Sequence, residues 1–313
     1  LGIESDDLYP PIAVPPQEYL DPAREISRDD AKHLGSILDA CGTLAGHVEA
    51  IARSGDFPLV LGGDHSISLG SLAGVSAANS DAGKRTGVLW VDAHGDFNTN
   101  LTTPTGNIHG MILAASCGYG IPELTGFYRP TRKIDPAYVC YIGVRDLDPK
   151  ERLLMREAGV RVYTMSDIDR LGISRATSEI AGFFDDRVDA LHVSFDIDAI
   201  DPRFAPGVGI EVPGGMTYRE VLFLMEEMAL TGLVTSATHM RRAGTLWVRV
   251  PTHILFVGKR EGTNPCHSVR CTTACSCAAL RLKKRPPAAS SSPTAPRKSP
   301  PRVKWSPWAK APA

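Results

Sequence analysis

The chain has 313 residues, of which 43% are hydrophobic and 22% are charged, as is typical of a folded protein with a sizeable core. No apolar run approaches the ~18 residues of a membrane-spanning helix, and the acidic, Pro-rich start does not resemble a signal peptide. The net charge of −1 is unevenly distributed: residues 1–240 carry −15 and residues 241–313 carry +14, which indicates a boundary near residue 240.

Composition divides the chain into three parts. Residues 1–28 are predicted to be an irregular segment and residues 29–240 an α/β domain. Residues 241–313 form a basic, Pro- and Ser-rich tail that is predicted to be largely disordered, because it has too little apolar surface to order itself. Within the tail, only residues 246–258 resemble a strand. The cysteine count of seven is odd, and Cys41, Cys117 and Cys140 are scattered without pairing spacing, which indicates a reducing compartment, most simply the cytoplasm.

Apolar spacing in residues 29–240 alternates between helical and extended periods. Helices are predicted from Asp29 or Asp30 to about Arg53, over 68–79 and 151–159, from 166 to about 184, and over 217–232. Strands are predicted over 57–63, 87–93, 138–146, 161–165 and 190–198. This alternation predicts a mainly parallel sheet, in which binding sites form beyond the carboxyl ends of the strands.

Acidic and histidine side chains follow three of these strands. They are Asp92, His94 and Asp96 in DAHGD, Asp196 and Asp198 in SFDID, and His65 in GGDHS. If DAHGD stays extended, its three ligands share one face, because alternate residues of a strand project to the same side. Four carboxylates carry too much negative charge for one ion and match two, and mixed oxygen and nitrogen donors suit Mn²⁺.

Each motif also has an ordinary structural interpretation when it is taken alone. An aspartate after a strand commonly caps a helix, and Asp64 in GGDHS would be such an N-cap. The recurrence of these motifs at successive strand ends disfavours a purely structural account. Two neighbouring metal ions can share a water molecule and lower its pKa, which predicts metal-assisted hydrolysis of a small molecule.

Four segments resemble the ureohydrolase family of arginases, agmatinases and formimidoylglutamases, and the match is closest to the arginases. They are GGDHS, DAHGDFNT, TGNIHG and SFDIDAIDP, and the resemblance covers about residues 57–237. It implies a three-layer α/β/α fold, two Mn²⁺ ions per subunit and assembly into trimers or hexamers. The implied reaction is hydrolysis of L-arginine to L-ornithine and urea by a hydroxide that bridges the two ions.

The resemblance also implies roles for individual residues. One Mn²⁺ would be held by His65, Asp92, Asp96 and Asp196, and the other by His94, Asp92, Asp196 and Asp198. Asp96 would also orient the nucleophile, and His109 would transfer protons, as an imidazole can near neutral pH. The positions matching contacts to the substrate α-carboxylate are Asn98, Thr105 and Asn107. Asp148, with Glu151 near it, matches the contact to the α-amino group.

The sequence departs from the family at both ends of the resembling region. Arg241 falls where the family has a glutamate that binds the substrate guanidinium, and Ile210 replaces a threonine. The family's first strand is not recognisable, so the fold is expected to be incomplete at both ends. Because Arg241 would repel a guanidinium, the chain is expected to be a weak or inactive arginase. The abrupt change of composition is also what a shifted reading frame or a mispredicted exon would produce.

Other interpretations stay open. An agmatinase, or a hydrolase of another guanidino compound, is the alternative within the same class. The alternative outside it is a non-catalytic metal-binding relic whose basic tail, with Trp305 and Trp308, contacts nucleic acid, although nucleic-acid binding is disfavoured. A zinc site is also disfavoured, because the tail cysteines lack the spacing of paired C-x2-C motifs; they are Cys266, Cys271, Cys275 and Cys277.

Overall fold

The computed structural model describes residues 28–206, 208–240, 247–250, 253–256 and 277–282. The strands are β1 (Phe57–Gly62), β2 (Thr86–Val91), β3 (Val139–Val144), β4 (Arg161–Thr164), β5 (Ala190–Asp196), β6 (Val234–Met240), β7 (Trp247–Val250), β8 (His253–Phe256) and β9 (Cys277–Leu282). Seven strands form one sheet in the order β4-β3-β2-β5-β6-β1-β9. Strands β1 to β6 are parallel, β9 pairs antiparallel with β1, and β7 pairs with β8 alone.

The first helix of the described residues precedes β1 along the chain, and the other helices lie between successive parallel strands. The helices are α1 (Leu34–Arg53), α2 (Ile67–Asp81), α3 (Ile112–Ser116), α4 (Pro122–Thr125), α5 (Pro149–Ala158), α6 (Met165–Leu171), α7 (Ile173–Phe184) and α8 (Tyr218–Leu230). None of them is both long enough and apolar enough to cross a lipid bilayer.

The sheet is covered on both faces, as its buried strands require. On one face, Trp90 of β2 belongs to an apolar cluster that includes residues of α1, α2 and α5. On the other face, the neighbouring Leu89 belongs to a cluster that includes residues of α6, α7 and α8. Because both faces of β2 are buried, its sequence is continuously apolar rather than alternating. The predicted three-layer α/β/α architecture is therefore confirmed.

Two predicted helix boundaries were wrong. Helix α1 begins at Leu34 rather than at Asp29 or Asp30, because the preceding residues contact a distant loop, where the Lys32 amide donates to the Gly106 carbonyl at 2.9 Å. The helix predicted from 166 to 184 is divided at Gly172. This glycine has a φ of 74° and ends α6 before α7 begins, a conformation open to glycine because it lacks a Cβ atom.

The sheet continues to the point where the composition of the chain changes. Strand β6 pairs with β5 and β1 up to Met240. In the tail, β7 and β8 fall within the strand-like residues 246–258, whereas no strand was predicted at β9. Several predictions concern residues outside the described ones: 1–27 of the irregular segment 1–28, Arg241, Cys266, Cys271, Cys275, Trp305 and Trp308.

A neutral histidine is buried in the middle of the sheet. His192 of β5 is 1% exposed, and its Nδ1 lies 2.8 Å from the Ser236 hydroxyl of β6. Its Nε2 lies 3.1 Å from the Thr238 hydroxyl of the same strand. Burial, with a smaller effect from His65, lowers the pKa of His192 to about 3. Folding therefore keeps this imidazole neutral in a pH range where the unfolded chain would protonate it.

We predict that His192→Gln reduces the acid sensitivity of the fold. The unfolded imidazole takes up a proton below about pH 6.5 while the folded one does not, so this group makes the protein less stable as pH falls. Urea unfolding at pH 7.5 and pH 5.0 should show that the parent loses about 2 kcal/mol more than the variant. Equal losses in the two proteins would contradict the assignment.

Candidate metal centre

The six predicted ligands come from the carboxyl ends of three parallel strands. His65 follows β1, Asp92 follows β2 directly, and Asp196 is the last residue of β5. Strands β2 and β5 are neighbours, and β1 is separated from β5 only by β6. Parallel strands present their carboxyl ends at one edge of the sheet, where ligands commonly bind. All six predicted ligands line one pocket at this edge.

The segment from Asp92 to Asp96 does not continue the strand, so the premise that it stays extended was wrong. Strand β2 ends at Val91, and Asp96 has a left-handed φ of 47°. The carbonyl of Asp96 accepts a hydrogen bond from the Leu113 amide at 3.1 Å, which ties the turn to α3. The ligands therefore converge because the chain turns above the strand end, rather than because they alternate on one face.

Asp92 lies between the two histidines. Its Oδ2 is 2.8 Å from His65 Nδ1, and its Oδ1 is 3.3 Å from His94 Nδ1. Asp196 Oδ2 lies 3.5 Å from His65 Nδ1, and Asp198 Oδ2 lies 3.1 Å from His94 Nδ1. Two groups of potential ligand atoms result, one of His65, Asp92 and Asp196 and the other of Asp92, His94 and Asp198. Asp92 belongs to both groups.

The imidazole of His65 is held from several directions. Its ring stacks on Trp90 with centroids 4.0 Å apart, and its Nε2 lies 2.9 Å from the Ser194 hydroxyl. Its Nδ1 lies 2.8 Å from Asp92 Oδ2 and 2.8 Å from Asp96 Oδ2. Burial opposes the charged form, but the two carboxylates outweigh it and raise the pKa of His65 to about 10. They therefore favour a positive charge at Nδ1, whether a proton or a metal ion.

The other ligands show the same shortage of positive charge. Burial disfavours a charged His94, but Asp198 and Asp92 outweigh it and raise the pKa of His94 to about 12. Burial and Asp92 raise the pKa of Asp198 to about 6, and burial with both carboxylates raises the pKa of Asp196 well above its usual value. The pKa of Asp92 is instead held well below its usual range, since His65 and His94 outweigh its burial.

Two buried atoms at the same place face each other without completing a hydrogen bond. Among the described side chains, His65 Nδ1 and Asp92 Oδ2 are buried without a hydrogen bond of acceptable geometry. Buried polar atoms are normally paired, so these two atoms call for a further partner. Imidazole nitrogens and carboxylate oxygens are suitable donors for Mn²⁺ and related divalent ions. The residues present therefore fit a pair of metal ions.

The pocket has a volume of about 550 Å³ and an acidic lining. In addition to the predicted ligands and substrate contacts, its acids include Asp64 and Asp146. Lys32 is the one lysine or arginine among the described residues that line it. The sequence did not indicate Lys32, because a long-range β-bridge to Asn107 brings it to the pocket. No local pattern of residues reports such a contact.

The residues predicted to hold the substrate head group also line the pocket. They are Asn98, Thr105, Asn107, Asp148 and Glu151. Asn98 Nδ2 donates to Asp148 Oδ2 at 2.9 Å, which joins two of them. Glu151 is 4% exposed and accepts hydrogen bonds from the amides of Phe97 and Asp148, at 2.8 and 3.2 Å. Its carboxylate is therefore committed to holding the two loops together.

His109 lies at the pocket on a 3-10 turn, Ile108–Met111. Its Nδ1 is 3.8 Å from Asp64 Oδ2. Asp64 accepts hydrogen bonds from the amide and the hydroxyl of Ser66, so it forms a tight turn, and Ser66 occupies the N-cap position of α2. Ile210 and Met240 also line the pocket. Arg241, which was predicted to face the substrate guanidinium, lies outside the described residues.

Comparisons with known proteins point to one family. The model of the Arginase family matches residues 15–265. An arginase from Bacillus caldovelox is 49% identical over 208 residues, which cover 66% of this chain and 68% of that protein. The native structure of the B. caldovelox arginase at pH 5.6 is similar with a TM-score of 0.68 and 44% identity, over 74% of this chain and 75% of that one. An arginase from Entamoeba histolytica in complex with L-ornithine is similar with a TM-score of 0.65 and 32% identity, over 74% of each chain.

We predict that Asp92→Asn and Asp198→Asn weaken Mn²⁺ binding in different ways. Because the oxygens of Asp92 face both histidines, its substitution should lower the affinity for both ions about 10- to 100-fold or more. Asp198→Asn should mainly lower the affinity for one ion. Calorimetric titration with Mn²⁺ measures both affinities. Asp189→Asn, at the amino-terminal end of β5, is the control and should leave them unchanged. If the two site variants weaken the two Mn²⁺ affinities to the same extent, Asp92 is not a ligand shared by both ions.

Proposed function

This chain belongs to the arginase family, and we propose that it hydrolyses L-arginine to L-ornithine and urea with the help of two Mn²⁺ ions. As a family member it is a hydrolase of linear amidine C–N bonds that acts on a small molecule. The observation that carries the proposal is the position of Asp92 between two groups of ligand atoms, each containing one histidine. A single carboxylate with one oxygen toward each group is suited to bridge a pair of ions.

The proposed ligands are those given by the resemblance. His65, Asp92, Asp96 and Asp196 would hold one ion, and His94, Asp92, Asp196 and Asp198 would hold the other. The contact of Asp96 Oδ2 with His65 Nδ1 supports its place in the first set. When bound, two Mn²⁺ ions supply a water molecule of lowered pKa as the nucleophile for the guanidinium carbon.

The remaining chemistry belongs to side chains of this chain. Asp96 would accept a hydrogen bond from the nucleophile and so orient it. His109 would carry a proton to the departing amine, because it lines the pocket and its side chain is 36% exposed to solvent.

Several contacts favour a substrate with an amino acid head group. We propose that Asn98, Thr105 and Asn107 bind the α-carboxylate and that Asp148 binds the α-ammonium group. Glu151 would act indirectly, by holding Asp148 through its amide. Lys32 lies beside Asn107 and adds a positive charge to an acidic pocket, which favours a carboxylate. Agmatine carries no carboxylate and would not use these contacts.

We further propose that the chain hydrolyses arginine slowly. Met240 ends β6 and lines the pocket, and the next residue in the sequence is Arg241, where the family has an acid. A cation in that position would repel the substrate guanidinium. The resemblance also supports a trimer or hexamer, which light scattering of the purified protein can test. The scattered cysteines favour the cytoplasm.

The function is tested by measuring urea release from arginine and from agmatine with Mn²⁺ present. We expect arginine to be preferred, and Lys32→Glu to lower kcat/KM for arginine about fivefold while agmatine hydrolysis is unchanged, since an exposed ion pair contributes about 1 kcal/mol. Lys84→Glu, before the amino-terminal end of β2, is the charge-matched control. A preference for agmatine would overturn the choice of substrate. If neither arginine nor agmatine yields urea, the proposed activity is overturned.

We predict that Arg241→Glu increases arginine hydrolysis. Replacing a repulsive charge by an attractive one should raise kcat/KM at least about tenfold, which corresponds to about 1.4 kcal/mol. Arg242→Glu makes the same charge change one residue later and should have little effect. If both variants behave like the parent, the low activity does not arise from the charge at position 241.

A further inference from the structure

We propose that Arg145 is a positioning residue that joins the His94–Asp198 half of the metal centre to the pocket wall at residues 208–213. The inference rests on the metal centre of the proposed function. It concerns a residue that is not among the described residues lining the pocket and that acts through the backbone of Asp198. Its consequence is a selective effect on one of the two metal ions.

The guanidinium of Arg145 bonds to backbone carbonyls of three separate segments. On the first segment, at the end of β3, Nη1 donates to Gly143 O at 3.1 Å. On the second, the turn that carries Asp198, Nη2 donates to Asp198 O at 2.7 Å and Nη1 to Ala199 O at 3.4 Å. On the third, Nη2 donates to Val212 O at 2.5 Å and Nε lies 3.2 Å from the same oxygen.

One nitrogen of Arg145 contacts both the metal ligand Asp198 and the wall segment 208–213. Nη2 donates to both Asp198 O and Val212 O, so a displacement of either carbonyl disturbs the other hydrogen bond. The wall segment continues from Val208, Gly209 and Ile210, all of which line the pocket. The position of the pocket wall and the position of a metal ligand are therefore linked through one guanidinium.

Arg145 also fixes the loop that carries the other ligand of this half-site. Its own amide donates to Ala93 O at 2.9 Å, between Asp92 and His94. The Ala93 amide in turn donates to the Asp198 carboxylate at 3.2 Å. The side chain of Asp198 is thus aimed at His94 Nδ1, 3.1 Å away, while Arg145 holds its main chain. No comparable contact joins Arg145 to His65 among the hydrogen bonds of the described residues.

Close packing leaves the guanidinium little freedom to move. A Cβ atom added to Gly215 would lie 2.7 Å from Arg145 Nη2 and 2.6 Å from the Asp201 amide. The side chain is half-buried, and a planar group with several donors can satisfy carbonyls in three directions at once. A lysine would keep the charge, but its single ammonium could not bridge Asp198 O and Val212 O with the same geometry.

The experiment is a calorimetric Mn²⁺ titration of the full chain and of Arg145→Lys. We expect two bound ions in both, with one affinity lowered about 10- to 100-fold in the variant and the other unchanged, because groups that orient a ligand change metal affinity on this scale. Arg85→Lys is the matched control: it disturbs hydrogen bonds to Asp189 and Asp186 at the opposite end of the sheet. It should leave both affinities unchanged.

Two further variants keep the test decisive. In Asp198→Asn, adding Arg145→Lys should cause no additional loss, because Arg145 acts by positioning the Asp198 carboxylate, which this variant already lacks. Gly215→Ala would crowd the guanidinium of Arg145 together with the backbone of Ala199 and Asp201, and it should weaken binding of the same ion even if Arg145→Lys fails to fold. If the variants at positions 145 and 215 lower both affinities equally, or change neither, the inference is overturned. The proposed metal centre would not be affected by that result. A parent chain that binds no Mn²⁺ would overturn both.

Discussion

The structure depends on a concentration of negative charge at the carboxyl edge of a parallel sheet. Asp92, Asp196 and Asp198 are brought together by two neighbouring strands, β2 and β5, whose apolar residues bury the sheet on both faces. Carboxylates held this closely in a buried place cannot all ionise unless cations join them. The raised pKa values of Asp196 and Asp198, and of both histidines, show that the site favours additional positive charge. The same concentration of negative charge makes the site suitable for two divalent ions.

Much of the surrounding structure holds these groups in place. Trp90 and Ser194 restrain the ring of His65, and both lie on strands that are themselves buried. Glu151 ties the loop after Asp96 to the start of α5 through two backbone amides. Arg145 gathers carbonyls from three segments behind Asp198. These residues are uncharged or already paired with backbone, so they can order the ligands without competing for the metal ions.

The sequence predicted the structure best where the burial of an element alone determines its pattern of apolar residues. Strand β2 was predicted because a doubly covered strand must be continuously apolar, and it extends as expected toward Asp92. It was least informative where a distant contact overrides the local pattern. Asp29 and Asp30 had the residue type of a helix cap, but α1 begins at Leu34, because the residues before it pair with the loop at Gly106 and Asn107. The turn at Asp96 likewise replaced an expected extension of the strand.

By itself, the sequence determined which chemical groups are available and where each lies along the chain: histidine and aspartate after apolar strands, in motifs that resemble one family. These properties follow from residue type and spacing, which need no knowledge of distant contacts. Only the tertiary structure decided that Asp92 directs one oxygen toward each histidine, that Lys32 reaches the pocket and that Arg145 joins Asp198 to Val212. Each of these depends on residues far apart in the chain, whose relative positions are set by the packing of the whole sheet.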